Sequence, residues 1–155
     1  IFSSPLAPSV IGASIASSNI HLSPEIDSLQ KQLLKRINAF KEQALKLGLP
    51  LLGEGQPPIF FIPSGNPDTC FAIVQKMMQH GFYQSSAVFP SVPYPCGGVR
   101  FTITNWLTID DINDMLHLLQ MERNAVLKET GLTESMIKRN FKGINYTHNE
   151  LAVKV

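Results

Sequence analysis

The sequence predicts an α+β domain: a small mixed or antiparallel sheet with helices on one face, preceded by a long helix. Three observations lead there. Val99 to Thr104 alternates strictly, with Val99, Phe101 and Ile103 on one side and Arg100, Thr102 and Thr104 on the other, the period of a half-buried strand. Ile26, Leu29, Leu33, Ile37, Phe40, Ala44 and Leu47 recur in threes and fours, one stripe down a long helix. Between and after these lie short apolar runs and two further helical stripes, in the order strand, helix, strand, strand, helix.

The long helix opens at Ser23-Pro24-Glu25, read as a hydroxyl cap followed by proline at the first helical position, and stops at Gly48. Ile59 to Ile62 is an apolar run bracketed by prolines and reads as a strand. A helix follows from an N-cap at about Asp68, through Phe71, Val74, Met77 and Met78, to Gly81. Phe82 to Phe89 reads as the next strand. The loop Pro90 to Gly98 is stiff at its proline-rich start and permissive at its two terminal glycines. The last long helix starts at Thr108, with Asp110 and Asp111 suited to the positive end of its dipole. Its stripe is Ile112, Met115, Leu116, Leu119, Val126 and Leu127, and it ends at Gly131. A short helix through Met136, Ile137 and Phe141 follows. Pro5 to Ser18 is rich in small residues, as in a helix that packs closely on a neighbour.

Three units are expected: 1–22, a segment continuing from a larger domain; 23–131, the α+β domain; and 132–155, a tail. A chain of 155 residues suits one ordinary core. Its net charge of +1 and its scattered 13 Lys and Arg argue against nucleic acid. No apolar stretch approaches the ~18 residues of a membrane span. Cys70 and Cys96 have no metal spacing and read as reduced thiols of a cytosolic protein. His21, His80, His117 and His148 are too dispersed for a metal site, and His80 reads as an imidazole serving the last carbonyls of its helix. Asn145-Tyr146-Thr147 matches a glycosylation sequon that carries no weight without secretion. No catalytic constellation is present.

Arg100 is the one residue whose placement points to binding. A planar guanidinium held on a strand can grip a carboxylate through two parallel hydrogen bonds. A solvated surface arginine is the alternative.

Four motifs stand in order: Ile1-Phe2-Ser3-Ser4-Pro5-Leu6-Ala7-Pro8, Phe89-Pro90-Ser91-Val92-Pro93, Gly97 to Ile103, and Thr108-Ile109-Asp110-Asp111-Ile112. Together they resemble the C-terminal domain of the α-oxoamine synthases, pyridoxal-phosphate enzymes of the fold-type I aminotransferase superfamily. The resemblance covers roughly residues 1 to 120. It implies that Arg100 binds the amino-acid substrate's carboxylate. It also implies that Ser3 and Ser4 lie near the phosphate of the neighbouring subunit's pyridoxal 5'-phosphate. The implied parent is a cytoplasmic homodimeric transferase that joins an amino acid to an acyl-CoA. Its Schiff-base lysine and the groups around the cofactor ring would precede Ile1, in a large domain, so this piece alone would be inactive and bind no cofactor. Many members carry a basic residue two before the arginine and a histidine before the threonine, where this chain has Gly98 and Leu107. The identity of the acyl and amino substrates stays open. A free-standing ligand-binding or regulatory α+β module is the reading from another class.

Overall fold

The computed structural model describes residues 5–53, 57–142 and 146–147. Helices α1 (Pro8–His21) and α2 (Glu25–Lys46) lead into β1 (Leu51–Leu52), β2 (Ile59–Gly65), α3 (Pro67–Gln79), β3 (Ser85–Ala87) and β4 (Gly97–Thr102). Then come α4 (Ile109–Thr130), α5 (Glu134–Asn140) and β5 (Tyr146–Thr147). The main sheet is antiparallel throughout, in the order β2-β4-β3, and β1 pairs separately with β5. Of the two sheet types expected, the antiparallel one forms. β2 and β3 both run against β4, which lies between them, so α3 connects two parallel strands across an intervening one.

The alternation in β4 does what its period requires. Val99, Phe101 and Ile103 are buried, while Arg100 and Thr102 are exposed. Opposite them on β2, Phe60 faces Phe101 and Ile62 faces Val99, so one apolar sheet face is continuous across the two strands. That face receives α2, α3 and α4. Phe40 of α2 is fully buried, stacks on Phe60 with ring centroids 4.1 Å apart, and meets Phe101 at 5.8 Å. Ile73 and Met77 of α3, and Ile112, Leu116 and Leu119 of α4, complete the layer. The stripe of α2 sinks along its length: Ile26, Leu29 and Leu33 are half-buried, whereas Ile37, Phe40 and Ala44 are buried.

Two glycines end their helices where the sequence places them. Gly48 (φ 68°) lets its own N–H reach Leu45 O and the Leu49 N–H reach Ala44 O, at 3.1 and 2.9 Å. Gly81 (φ 86°) repeats this, with Gly81 N to Met78 O and Phe82 N to Met77 O, both at 3.0 Å. Each pair satisfies carbonyls that a helix C-terminus leaves open.

Other boundaries differ from the sequence reading, each for a local reason. α2 begins at Glu25 with Pro24 already in helical geometry at the cap. Ser23 still contributes, its Oγ accepting the Glu25 N–H at 3.2 Å. The cap of α3 is Asn66, not Asp68: Asn66 Oδ1 accepts the Thr69 N–H at 2.9 Å and Pro67 takes the first turn. The strand expected over Phe82 to Phe89 shrinks to Ser85–Ala87, which pairs with Gly98 to Arg100 of β4. Beyond Gly131, α5 packs on the other side of the sheet, where Leu127, Ile137 and Phe141 form a second cluster with Phe61, Leu52, Cys96 and Leu132. The small-residue segment does form α1, but none of its residues is buried.

Candidate functional site

Arg100 stands in the middle of the sheet's outer face. Strand register sets Phe61 of β2 on one side of it and Ser85 of β3 on the other. Its neighbours Val99 and Phe101 are locked into the core, so the backbone that carries the guanidinium is held on both edges. The side chain is exposed and has no hydrogen bond or ion pair among the described residues. An unpartnered guanidinium on a rigid strand is a cation ready for an incoming anion.

Beside it lies a cavity of about 360 Å³ lined by Gly81 to Ser85, Arg100 to Ile103, Leu107, Asp111, Ile112 and Met115. It opens because β3 pairs with β4 only from Ser85 onward, so Phe82 to Gln84 diverge from Phe101 to Ile103. The far wall is pinned by α2: Arg36 Nε donates to Leu107 O at 2.6 Å, and Asn105 Nδ2 to Leu29 O at 2.9 Å. Asp111 belongs to the cap of α4. Its Oδ2 accepts from the Thr108 hydroxyl and backbone N–H at 2.6 and 2.9 Å, while the Thr108 hydroxyl accepts the Asp111 N–H at 3.0 Å. These bonds from Thr108 hold the Asp111 carboxyl below the ordinary carboxylate range, so it is anionic at neutral pH.

Gly98, two residues before Arg100 on the same face, has no room for a side chain. A Cβ there would overlap the Phe61 ring and Ile62 O. Phe61 in turn meets Phe141 edge-on at 6.2 Å. The space next to Arg100 where a basic residue was considered is thus filled by an aromatic ring braced from α5. Leu107 stands at the other departure and is an apolar part of the cavity wall.

Of the remaining sequence-stated candidates, Ser3 and Ser4 lie outside the described residues. His80 does not serve the helix carbonyls with its ring: Nε2 lies 3.5 Å from Glu122 Oε1 on α4, and the backbone caps the helix instead. Cys70 and Cys96 are free thiols; burial pushes Cys70 up to about 12, partly offset by the nearby Arg123, so it is no nucleophile. No group of three or more potential metal-ligating side chains occurs among the described residues, and no described helix is long and apolar enough to cross a membrane.

Sequence reasoning missed Arg123, which is 2% exposed. Its Nε and Nη2 donate to Pro63 O at 3.1 and 2.9 Å, and Nη2 also to Glu134 Oε2 at 2.8 Å. It joins α4, the irregular end of β2 and α5. The signal was present: position 123 is four after Leu119 and three before Val126, on the buried stripe itself.

The described residues do not by themselves fit pyridoxal phosphate. No lysine lines the cavity, and none of the described lysines is buried.

Fold and site define an α+β domain with a three-stranded antiparallel sheet, presenting an exposed, unpaired arginine beside a cavity. No family model matches the chain. The chain is 31% identical over 116 residues to the 8-amino-7-oxononanoate synthase of Thermoanaerobacter pseudethanolicus, covering 75% of this chain and 29% of that protein. With the enzyme of the same name from Treponema denticola it shares 27% over 132 residues, 85% of this chain and 32% of that one. Its fold matches a serine palmitoyltransferase of S. paucimobilis, solved with a pyridoxal-phosphate–myriocin aldimine, at a TM-score of 0.71, 21% identity, and 81% and 31% coverage. It also matches the 8-amino-7-oxononanoate synthase of Francisella tularensis at 0.65 and 21%, covering 81% of this chain and 36% of that one. The resemblance to the α-oxoamine synthases therefore stands, and the chain spans about a third of the length of these relatives.

Proposed function

We propose that this chain is the C-terminal, substrate-carboxylate-binding part of a pyridoxal-phosphate-dependent acyl-CoA:amino acid C-acyltransferase, inactive without the rest of the enzyme. The observation that carries this reading is Arg100: exposed, unpartnered among the described residues, and fixed on a strand paired on both edges. Its two outward N–H groups would grip the amino acid's carboxylate and hold the substrate in one orientation, while the cavity beside it takes the adjoining atoms. The cofactor, bound by the large domain, would supply the electron sink for carbon-centred chemistry. In this proposal residues 1–22 continue from the large domain, 23–131 form the substrate-binding unit, and 132–155 follow it. Ser3 and Ser4 would approach the cofactor phosphate of the second subunit in a cytoplasmic homodimer.

Arg100→Ala in the full-length enzyme should lower kcat/KM for the amino acid by about 2–4 kcal/mol, the scale of truncating one partner of a desolvated charged pair. Arg100→Lys should recover only part of this, since an ammonium cannot reproduce the planar fork. KM for the acyl-CoA should change far less. Unchanged amino-acid kinetics in Arg100→Ala would return Arg100 to the status of a solvated surface residue.

A further inference from the structure

On the outer face of the sheet, strand register gives Arg100 four nearest neighbours: Phe61 across on β2, Ser85 across on β3, and Gly98 and Thr102 two residues away on β4. None of the four is acidic, and Phe61 is the aromatic ring among them. Side chains directly opposite on antiparallel strands have Cβ atoms about 5 Å apart. A half-buried phenylalanine in that position can lay its open face on the guanidinium, since arginine stacks on aromatic rings. Phe61 does not do so: Arg100 has no ring contact among the described residues. The ring reaches along the diagonal instead, over Gly98, where an added side chain would collide with its Cε1 and Cζ. Phe141 of the α5 end holds it there, 5% exposed and edge-on to the Phe61 ring at 6.2 Å. The residue before Phe141 is itself tied down. Asn140 Nδ2 donates to Pro95 O at 3.0 Å, and Cys96 Sγ donates to Asn140 O at 3.4 Å. Strand side chains have more than one staggered well open to them, so the diagonal placement depends on this brace and on the missing side chain at Gly98.

We propose that Phe141 is a positioning residue of the Arg100 site: by bracing Phe61 over Gly98, it keeps the ring off the guanidinium and leaves that cation open to a carboxylate. The inference rests on the carboxylate-binding reading of Arg100 and deepens it. Neither Phe141 nor Phe61 needs to touch the ligand. With the brace removed, the ring swings from the diagonal to the direct cross-strand position, and the guanidinium is occupied from within the chain. One exposed cation–π contact is all the ligand then has to displace, so affinity falls modestly and is not abolished.

Propionate is the probe, titrated by calorimetry against the full-length protein. It carries a carboxylate and no amine, so its binding reports the arginine and not chemistry at the cofactor. Phe141→Ala should weaken propionate about two- to fivefold, the range of one exposed cation–π contact. Adding Phe61→Leu to Phe141→Ala should restore wild-type affinity, because leucine has no π face to lay on the guanidinium. Simple loosening of the fold gives the opposite result, a double variant at least as weak as the single one. Thermal unfolding shows whether each variant is folded at the temperature of the titration. If Phe141→Ala is not, Phe141→Leu, which keeps more of the packing, takes its place with the same expected direction. Unchanged affinity in the Phe141 variant, or no recovery in the double variant, overturns the assignment of Phe141. The carboxylate reading is tested separately by Arg100→Ala: lost propionate binding there supports it, and retained binding sinks it.

Discussion

On the inner face of the sheet, Val99, Phe101, Phe60 and Ile62 disappear under three helices and meet almost nothing but other apolar side chains. On the outer face, one residue along the same strands, Arg100 and Thr102 are exposed, and Phe61 is half-buried under α5. The two faces differ in what holds their cover down. The inner cover is large and needs no directed bonds. The outer cover is the three buried residues Leu127, Ile137 and Phe141 with their half-buried neighbours, fastened by one buried arginine, Arg123, to Pro63 O and Glu134. The outer face carries an exposed arginine and is not covered by broad apolar burial, so polar fastening at one end leaves the other open.

The largest effect should come from opening the inner face. Phe40→Ala removes a fully buried ring from between Phe60 and Phe101, and should destabilise the chain by about 3–5 kcal/mol in denaturant unfolding. A loss under about 1 kcal/mol would mean that α2 does not seal that face.

Arg123→Met should come next, at about 2–4 kcal/mol, because it strands the buried Pro63 carbonyl and leaves Glu134 without its guanidinium. The damage should fall first on the outer cover: amide exchange should speed up in α5 and the end of β2 before α3 responds. Uniform loss of protection would show that the two covers unfold as one.

The smallest effect belongs at the rim of the cavity, in the cap of α4. Thr108→Ala should cost about 1 kcal/mol, the usual scale for losing such a cap. The pH dependence has a definite sign. Asp111 is depressed by its bonds to Thr108, so its stabilising contribution is present above its unfolded value of 3.8 and is lost as pH falls through the lower folded value. Asp111→Asn should therefore flatten the acid limb of the stability curve below about pH 4 while leaving its shape at neutral pH alone. Arg100→Ala, by contrast, should leave stability within about 0.5 kcal/mol, as suits an exposed residue with no partner to strand.

The inner face was legible where periodicity alone sets it; on α3 it was not, since Phe71 and Met78 of the expected stripe are half exposed while Cys70 and Ile73 are buried. Alternation in β4 and the stripes of α2 and α4 name their buried members, and Gly48, Gly81 and Gly131 name the stops. Local chemistry offers rival solutions at the start of α3: Asn66 and Asp68 are both good caps, and in the fold Asn66 Oδ1 takes the Thr69 N–H with Pro67 in the first turn. Of the site, Arg100 was legible through its place on a strand and a resemblance in motif order. Its setting was not.

What the sequence determined by itself is which apolar residues turn inward along β4, α2 and α4, and where the chain must turn, because these follow from backbone period and the conformations open to glycine and proline. Only the tertiary structure decided which strands become neighbours and where their pairing stops. Gln84 lines a cavity because β3 parts from β4 at Ser85. Phe61 lies over Gly98 because β2 pairs with β4 in one register and α5 presses Phe141 on the ring. Arg123 is buried because α4, β2 and α5 converge on it. Each depends on contacts between residues at least 11 positions apart, and no local period records which of these distant partners will meet.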